Sequence, residues 1–441
     1  MSAVKKLQTI TLGCSKNKVD TEHILSQVDS HYEIVPEGED IPVDVILLNT
    51  CGFIGDAKEE SIQAVLEAVE RKKKGEASKV LVFGCLSQRY SHELPELIPE
   101  VDGWFGARDF DPVIRALGVE PSDSKRTERY LTTPSHYAYL KISEGCDRRC
   151  SYCAIPFIRG QHKSVPIEDL VAEAEGLAAK GVKELMVIAQ DTTYYGLDLY
   201  RRRALAELLQ KLSEVDGIEW IRIHYSYPAA FPEDVLDQMA NNPKVCRYMD
   251  IPLQHISDKV LDNMHRHVDG AWTRELIRKM REKVPGVALR TTMIVGHPGE
   301  GKRDFNELLK FVEEARFERL GAFMYSEEEG TFGAENFKDS ISNRIKQERL
   351  DQLMTLQSSI SLEYNQSRVG QELKVIVDDF NDGVFVCRSE FESPEVDGEI
   401  LVKYDPAVLG SVDPYSLIGE FIQVKVIGAD EYDLIAEIVE I

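Results

Sequence analysis

Short runs of β-branched and aliphatic residues alternate with longer amphipathic stretches over most of the chain. Near the start the runs are LQTITL, VDVILLN and SKVLVFG, and between them lie helix-period segments such as AKEESIQAVLEAVERKKKG. Runs that are apolar on both faces, each followed by an amphipathic helix, predict a parallel sheet covered by helices. This first α/β domain is expected over residues 1–118, with a polar, turn-rich linker at 119–136. The alternation resumes over 137–340 with YAYLKIS, ELMVIAQ, WIRIHYS, RYMDIPL, VALRTTMIVG and RLGAFMYS. Six strand–helix units predict a partial (β/α) barrel. Ile341, Ile345, Leu353, Leu356, Ile360 and Tyr364 then recur at helical spacing and predict one connecting helix over 341–368. From 369 to 441 the period falls to two, in ELKVIVDD, GVFVCRS, EILVKY, FIQVKVIGA and DLIAEIVEI. This predicts a small five-stranded all-β barrel of oligonucleotide-binding type. The fold class is therefore α/β, with a terminal β-barrel.

Length and composition agree. The 441 residues suit about three domains, and a 43% apolar, 29% charged chain can build a core. No run approaches the ~18 apolar residues of a membrane span. The N-terminal stretch lacks the apolar core and cleavage site of a leader, so the expectation is a cytoplasmic protein. In a reducing compartment the eight cysteines are metal ligands or core residues rather than disulfides.

Charge narrows the partners. A net charge of −24 repels phosphate backbones and favours a cationic partner. The last domain carries 17 acidic and four basic residues. A barrel that binds RNA is expected to be basic, so a direct transfer RNA substrate is not expected and a basic protein surface is. Asp378, Asp379, Asp382, Glu390, Glu392 and Glu395 are the expected docking acids; the alternative is a merely solvated surface.

The candidate chemistry lies in two sets of cysteines. SEGCDRRCSYCAIPFIRG places Cys146, Cys150 and Cys153 just after the first barrel strand, at the end where barrel active sites are built. A structural zinc site wants a fourth ligand, and His162 lies too far on. Three thiolates can instead hold three irons of a cubane and leave the fourth open. Cys14, Cys51 and Cys85 each end an apolar run, where an open parallel sheet binds its ligands. The alternative for these is three buried core cysteines. Cys246 and Cys387 lack partner spacing and are read as core. HRH (265–267) and RKKKG (71–75) are read as structural, the latter as the solvated end of a helix.

C-x3-C-x2-C at a barrel mouth, three further cysteines at strand ends and a terminal β-barrel resemble the methylthiotransferase family of radical S-adenosylmethionine enzymes. The resemblance spans nearly the whole chain. It implies two [4Fe-4S] clusters, one held by Cys146, Cys150 and Cys153 and the other by Cys14, Cys51 and Cys85. It also implies S-adenosylmethionine as both methyl and radical source, and a TRAM-like terminal barrel. C–H is converted to C–S–CH3. Tyr152 matches the aromatic beside the adenine, although a core role is equally open to it. Gly296, in MIVGHPGE, resembles the glycine turn that lines the cofactor site. AQDTTYYG and IPLQH resemble the ribosomal-protein branch, which modifies the β-carbon of an aspartate in small-subunit ribosomal protein twelve. The alternative is the branch acting on an adenosine derivative in transfer RNA. Asp191 and Gln254 are carried as cofactor contacts, with a structural role open for both and for His255. Val165 and Gly301 depart from the family pattern, which has arginine and threonine there. The family further implies an electron donor such as flavodoxin or ferredoxin, and a sulfur donor.

Overall fold

The computed structural model describes residues 4–440; the first residues of the stretch read for a leader, 1–3, lie outside them. The first sheet contains β1 (Lys5–Thr11), β2 (Tyr32–Val35), β3 (Val43–Thr50), β4 (Ala77–Gly84) and β5 (Gly103–Trp104). Its order is β2-β1-β3-β4-β5, and every pair is parallel. β3 and β4 are central and bury both faces. Val45, Leu47, Leu81 and Phe83 pack on one side with Ile24, Leu25 and Val28 of the helix Ser15–Val28. Ile46, Leu48, Val80 and Val82 pack on the other with Val65, Ala68 and Val69 of the helix Gly55–Lys73. Continuous apolar runs follow directly from this two-sided burial. Three strands were expected here and five are present. β2 and β5 are edge strands of four and two residues, too short to leave a pattern.

The second sheet is built from β6 (Tyr137–Lys141), β9 (Glu184–Ile188), β10 (Trp220–Ile223), β11 (Val245–Asp250), β12 (Ala288–Val295) and β13 (Arg319–Met324). A two-residue ladder, β7 (Ser143–Glu144) with β8 (Lys163–Ser164), closes the loop after β6. The six strands run parallel in the order β13-β12-β11-β10-β9-β6. β6 and β13 are the two edges, so this is the open, partial barrel expected. Its core is lined by Leu185, Val187, Ile221, Ile223, Met249 and Leu289, closed by leucine-rich helices outside.

The terminal barrel comprises β14 (Glu372–Asn381), β15 (Val384–Ser389), β16 (Ile400–Lys403), β17 (Phe421–Ala429) and β18 (Leu434–Glu440). It closes as β14-β15-β16-β18-β17. Alternate residues point inward, among them Val375, Val377, Phe385, Val402, Val424 and the core cysteine Cys387. Cys246 is also core, packed with Trp220, Tyr248 and Ile376 where barrel and sheet meet.

Two expectations change. The stretch 119–136 is no free tether. Arg129, 2% exposed, donates to Glu22 of the first domain, to Glu173 Oε1 at 2.6 Å and to the Tyr139 carbonyl at 3.0 Å. Four of the six acids expected as a docking surface are engaged in ion pairs with other side chains of this protein. Glu392 is buried against Arg319 and Arg368; Asp378 pairs with Arg388 and His136. Glu390 holds Arg247, and Glu395 takes Lys18, Tyr137 and Tyr139. The negative charge of this barrel meets the arginines of its own neighbours, which its composition alone could not show. The long helix, Asn343–Ser367, buries Leu353 and Ile360 as expected. Lys346, Gln357 and Asn365 are buried beside them, because that face also ties neighbouring carbonyls: Lys346 Nζ to Tyr325 O at 3.0 Å, Gln357 to Phe317 O at 2.9 Å, Asn365 to Asp430 O at 3.0 Å.

Candidate functional site

Cys14, Cys51 and Cys85 lie beyond the carboxyl ends of β1, β3 and β4, three adjacent strands. Glycine makes the turns possible. Gly13 has φ +92°, and a Cβ there would stand 3.0 Å from Cys51 Sγ; Gly84 has φ +106°, and a Cβ would meet Thr50 O at 2.7 Å. Cys51 is fixed by Ser61, whose hydroxyl accepts from its N–H at 2.9 Å. Cys85 opens the short helix Cys85–Arg89. The thiols grade from exposed Cys14 to buried Cys85. Burial pushes the Cys51 thiol up and the Cys85 thiol up to about 12, with Cys14 adding to both and Cys51 adding to Cys85.

Cys146, Cys150 and Cys153 follow β6 and β7. Burial holds Cys146 up to about 12 and raises Cys153 further, with Cys150 adding to both. Arg266 reaches this loop from 116 residues away, its Nη1 3.4 Å from Cys150 Sγ and 3.4 Å from the Tyr152 hydroxyl. Its Nη2 donates to Pro252 O at 2.5 Å, and its guanidinium lies 4.1 Å from the Tyr227 ring. The Tyr227 hydroxyl is 3.8 Å from Cys150 Sγ.

Buried thiols with raised pKa values stay protonated alone, whereas a bound cation deprotonates them outright. Three such thiols at each site, with no fourth ligand beside them among the described residues, fit a cluster with one open iron. Among the described residues no three His, Cys, Asp or Glu side chains close on a single ion. Cluster thiolates each bind a different iron and stand further apart than the ligands of one zinc.

The two sites share a wall. Cys85 packs with Ala154 and Ile158, on the segment that leaves Cys153. Arg159, at the end of the helix Ile155–Arg159, donates from Nε to Cys85 Sγ at 3.2 Å.

The other expected residues divide. Tyr152 sits beside Cys153 under Arg266. Asp191 is 1% exposed; Oδ1 accepts from the Thr193 N–H at 2.9 Å and hydroxyl at 2.6 Å, and Oδ2 from Arg148 Nε at 2.8 Å. It thus braces the cysteine loop through Arg148. Gln254 has φ +72°, and its buried Oε1 has no partner among the described residues. A strained non-glycine with an orphaned acceptor leaves Gln254 able to take a ligand. Neighbouring His255 is fully buried, its pKa lowered to about 3 by burial, and so neutral. Gly296 has φ +78°, and the space of a side chain there is filled by Lys346, whose Cγ would lie 2.4 Å from a Cβ. That close approach accounts for the glycine. Arg148, Arg159, Tyr227 and Arg266 were missed; Arg266 lay within the HRH read as structural.

An open parallel barrel with three cysteines in its first loop, beside an α/β domain bearing three more at strand ends, defines a radical S-adenosylmethionine enzyme with a second thiolate centre. Comparison with known families agrees. The radical SAM superfamily model matches residues 140–312, that of the uncharacterized protein family UPF0004 matches 6–106, and the TRAM domain model matches 369–439. The chain is 50% identical to the ribosomal protein uS12 methylthiotransferase RimO of Phocaeicola vulgatus, covering 98% of this chain and 99% of that one. It is 48% identical to the protein of the same name from Cytophaga hutchinsonii, covering 99% and 98%. Among solved structures it resembles the radical S-adenosylmethionine methyltransferase TsrM of Kitasatospora setae with cobalamin and a [4Fe-4S] cluster bound. That match has a TM-score of 0.53 at 12% identity over 93% and 92% of the chains, a likeness of fold alone. The chain belongs to the family of ribosomal protein uS12 methylthiotransferases.

Proposed function

We propose that this chain converts a C–H bond to C–S–CH3 on ribosomal protein uS12, at the β-carbon of an aspartate. Two [4Fe-4S] clusters and S-adenosylmethionine are its cofactors. Cys146, Cys150 and Cys153 hold the radical cluster; Cys14, Cys51 and Cys85 hold the auxiliary one. The observation that carries this reading is the pair of three-thiol sites set against one short helix, with Cys85 packed on Ala154 and Ile158. When bound, the cofactors supply the radical that removes hydrogen, the methyl group and the sulfur that carries it.

The protein's own part is to hold and orient. Asp191 and Arg148 fix the cysteine loop, and Arg266 and Tyr227 neutralise and pack Cys150. Gln254 Oε1 would accept a hydrogen bond from S-adenosylmethionine, and Tyr152 would pack beside the cofactor. Gly296 lets Lys346 pack against the turn after β12. An electron donor such as flavodoxin or ferredoxin reduces the clusters, and a separate donor renews the sulfur.

Three measurements test the reading. Replacing Cys14, Cys51 and Cys85 together with alanine should remove about half the iron, keep S-adenosylmethionine cleavage and abolish the methylthio product. Cys150→Ala should abolish 5′-deoxyadenosine formation and spare the auxiliary iron. Unchanged iron in the first variant, or native cleavage in the second, overturns the cluster assignment. Offered uS12 and transfer RNA separately, the native enzyme should modify only the protein; product on the RNA would favour the other branch.

A further inference from the structure

Arg159 is buried, 3% exposed, and every arm of its guanidinium is engaged. Nε points at Cys85 Sγ, 3.2 Å away. Nη1 donates to Asp20 Oδ2 at 2.7 Å, Glu144 Oε2 at 3.1 Å and Ala107 O at 3.3 Å. Nη2 donates to Asn17 Oδ1 at 2.6 Å. Asp20 and Glu144 also hold Lys141, so the guanidinium is locked from both domains. A fork of this kind keeps its charge at any working pH and cannot swing away.

We infer that Arg159 is a positioning residue of the auxiliary centre: it donates an N–H···S hydrogen bond to the Cys85 thiolate, raises the reduction potential of the cluster held there, and fixes that cluster against the helix leaving Cys153. This rests on the assignment of Cys14, Cys51 and Cys85 as ligands. Hydrogen bonds to cluster sulfurs, burial and nearby charge all set such potentials, and this residue supplies the first and third. The electron density of a reduced cluster is favoured by a fixed neighbouring cation, so its loss lowers the potential. The arginine arises from the radical domain while its target belongs to the first domain. One side chain therefore binds the two centres into a unit, as their joint use in one reaction requires.

The test uses the full chain with Cys146, Cys150 and Cys153 replaced by alanine, so that only the auxiliary cluster is present. Its iron and sulfide content first checks the ligand assignment: four irons per chain support it, and none refutes it independently of Arg159. In that protein, Arg159→Lys keeps a charge for Asp20 and Glu144 but cannot also reach Cys85 and Asn17. At a fixed solution potential the ratio of reduced to oxidised cluster should fall about tenfold, a shift of about 59 mV for a one-electron couple. Full iron with an unchanged potential overturns the inference and leaves Arg159 a structural tie. A second measurement needs no substitution at Arg159. With guanidino-15N arginine incorporated, the reduced cluster's electron spin should couple to a nitrogen nucleus, and absence of that coupling also overturns the inference.

Discussion

Glu392 offers a perturbation whose size follows from its surroundings. Its side chain is 1% exposed. Oε1 accepts from Arg319 Nη2 at 3.1 Å and from Arg368, while Oε2 accepts from the Ser389 N–H at 3.1 Å and hydroxyl at 2.5 Å. Burial opposes its charge, but Arg368 and then Arg319 more than offset that, bringing its pKa from 4.5 down to about 2. Each unit is ~1.4 kcal/mol, so the ionised form contributes about 3 kcal/mol to the docking of the barrel. Removing one partner of a buried pair costs about 3–5 kcal/mol by an independent measure, because the arginines stay buried without their counter-charge.

Glu392→Gln should therefore destabilise the docked barrel by about 3 kcal/mol at pH 7. The depressed pKa means that this stability is present above the unfolded pKa and is lost as pH falls through the folded one. The difference between native and variant should hold down to pH 4.5 and close as pH approaches about 2. The assay is built in, since the Trp220 ring lies 4.8 Å from that of Phe421 across the interface. With Trp104 and Trp272 changed to phenylalanine, urea titration of Trp220 fluorescence reports undocking. Equal midpoints at pH 7 would refute the reasoning, as would a deficit of the same size at pH 7 and pH 3.

Two further outcomes are expected. Gln254→Gly should relieve the strain of φ +72° and leave the thermal midpoint of the metal-free protein the same or higher. It should weaken S-adenosylmethionine binding roughly tenfold by calorimetry, as loss of one hydrogen bond of about 1.4 kcal/mol predicts; unchanged affinity sinks the assigned contact. Reversing Asp379, Asp382, Asp430 and Glu431 to lysine should slow association with uS12 at 50 mM salt and much less at 500 mM, measured by stopped flow. Equal rates at low salt would show that these exposed acids only keep the protein soluble.

The legible part of the site is the part where chemistry and strand pattern coincide. Cys14, Cys51 and Cys85 could be paired without a structure because each closes a run of residues buried on two faces, and such runs align as neighbours in a parallel sheet. Cys146, Cys150 and Cys153 announce themselves by spacing. The residues that govern those sulfurs carry no such mark. Arg159 is 74 residues from Cys85, and Arg266 is 116 from Cys150. An arginine in IRG or HRH has no pattern that distinguishes a thiolate partner from a surface charge; only the register of the two sheets brings them in. Asp191 follows β9, and its two oxygens are taken up by Thr193 and Arg148. Local sequence cannot tell which neighbour takes up a carboxylate.

The same limit explains the charge of the terminal barrel. A composition counts Glu392 and Glu431 alike, yet one is buried on two arginines and the other lies in the exposed turn between β17 and β18. The loop after β15 spends Glu390, Glu392 and Asp397 on the central sheet, through Arg247, Arg319, Arg290 and Tyr248, while Glu392 also takes Arg368 at the end of the long helix and Glu395 takes Lys18 of the first domain. That commitment packs the barrel onto the rest of the enzyme. Acids that remain outward, among them Asp379, Asp382, Asp430, Glu431, Glu437 and Glu440, are able to steer a cationic partner, through a field that salt screens within about 10 Å at 0.1 M.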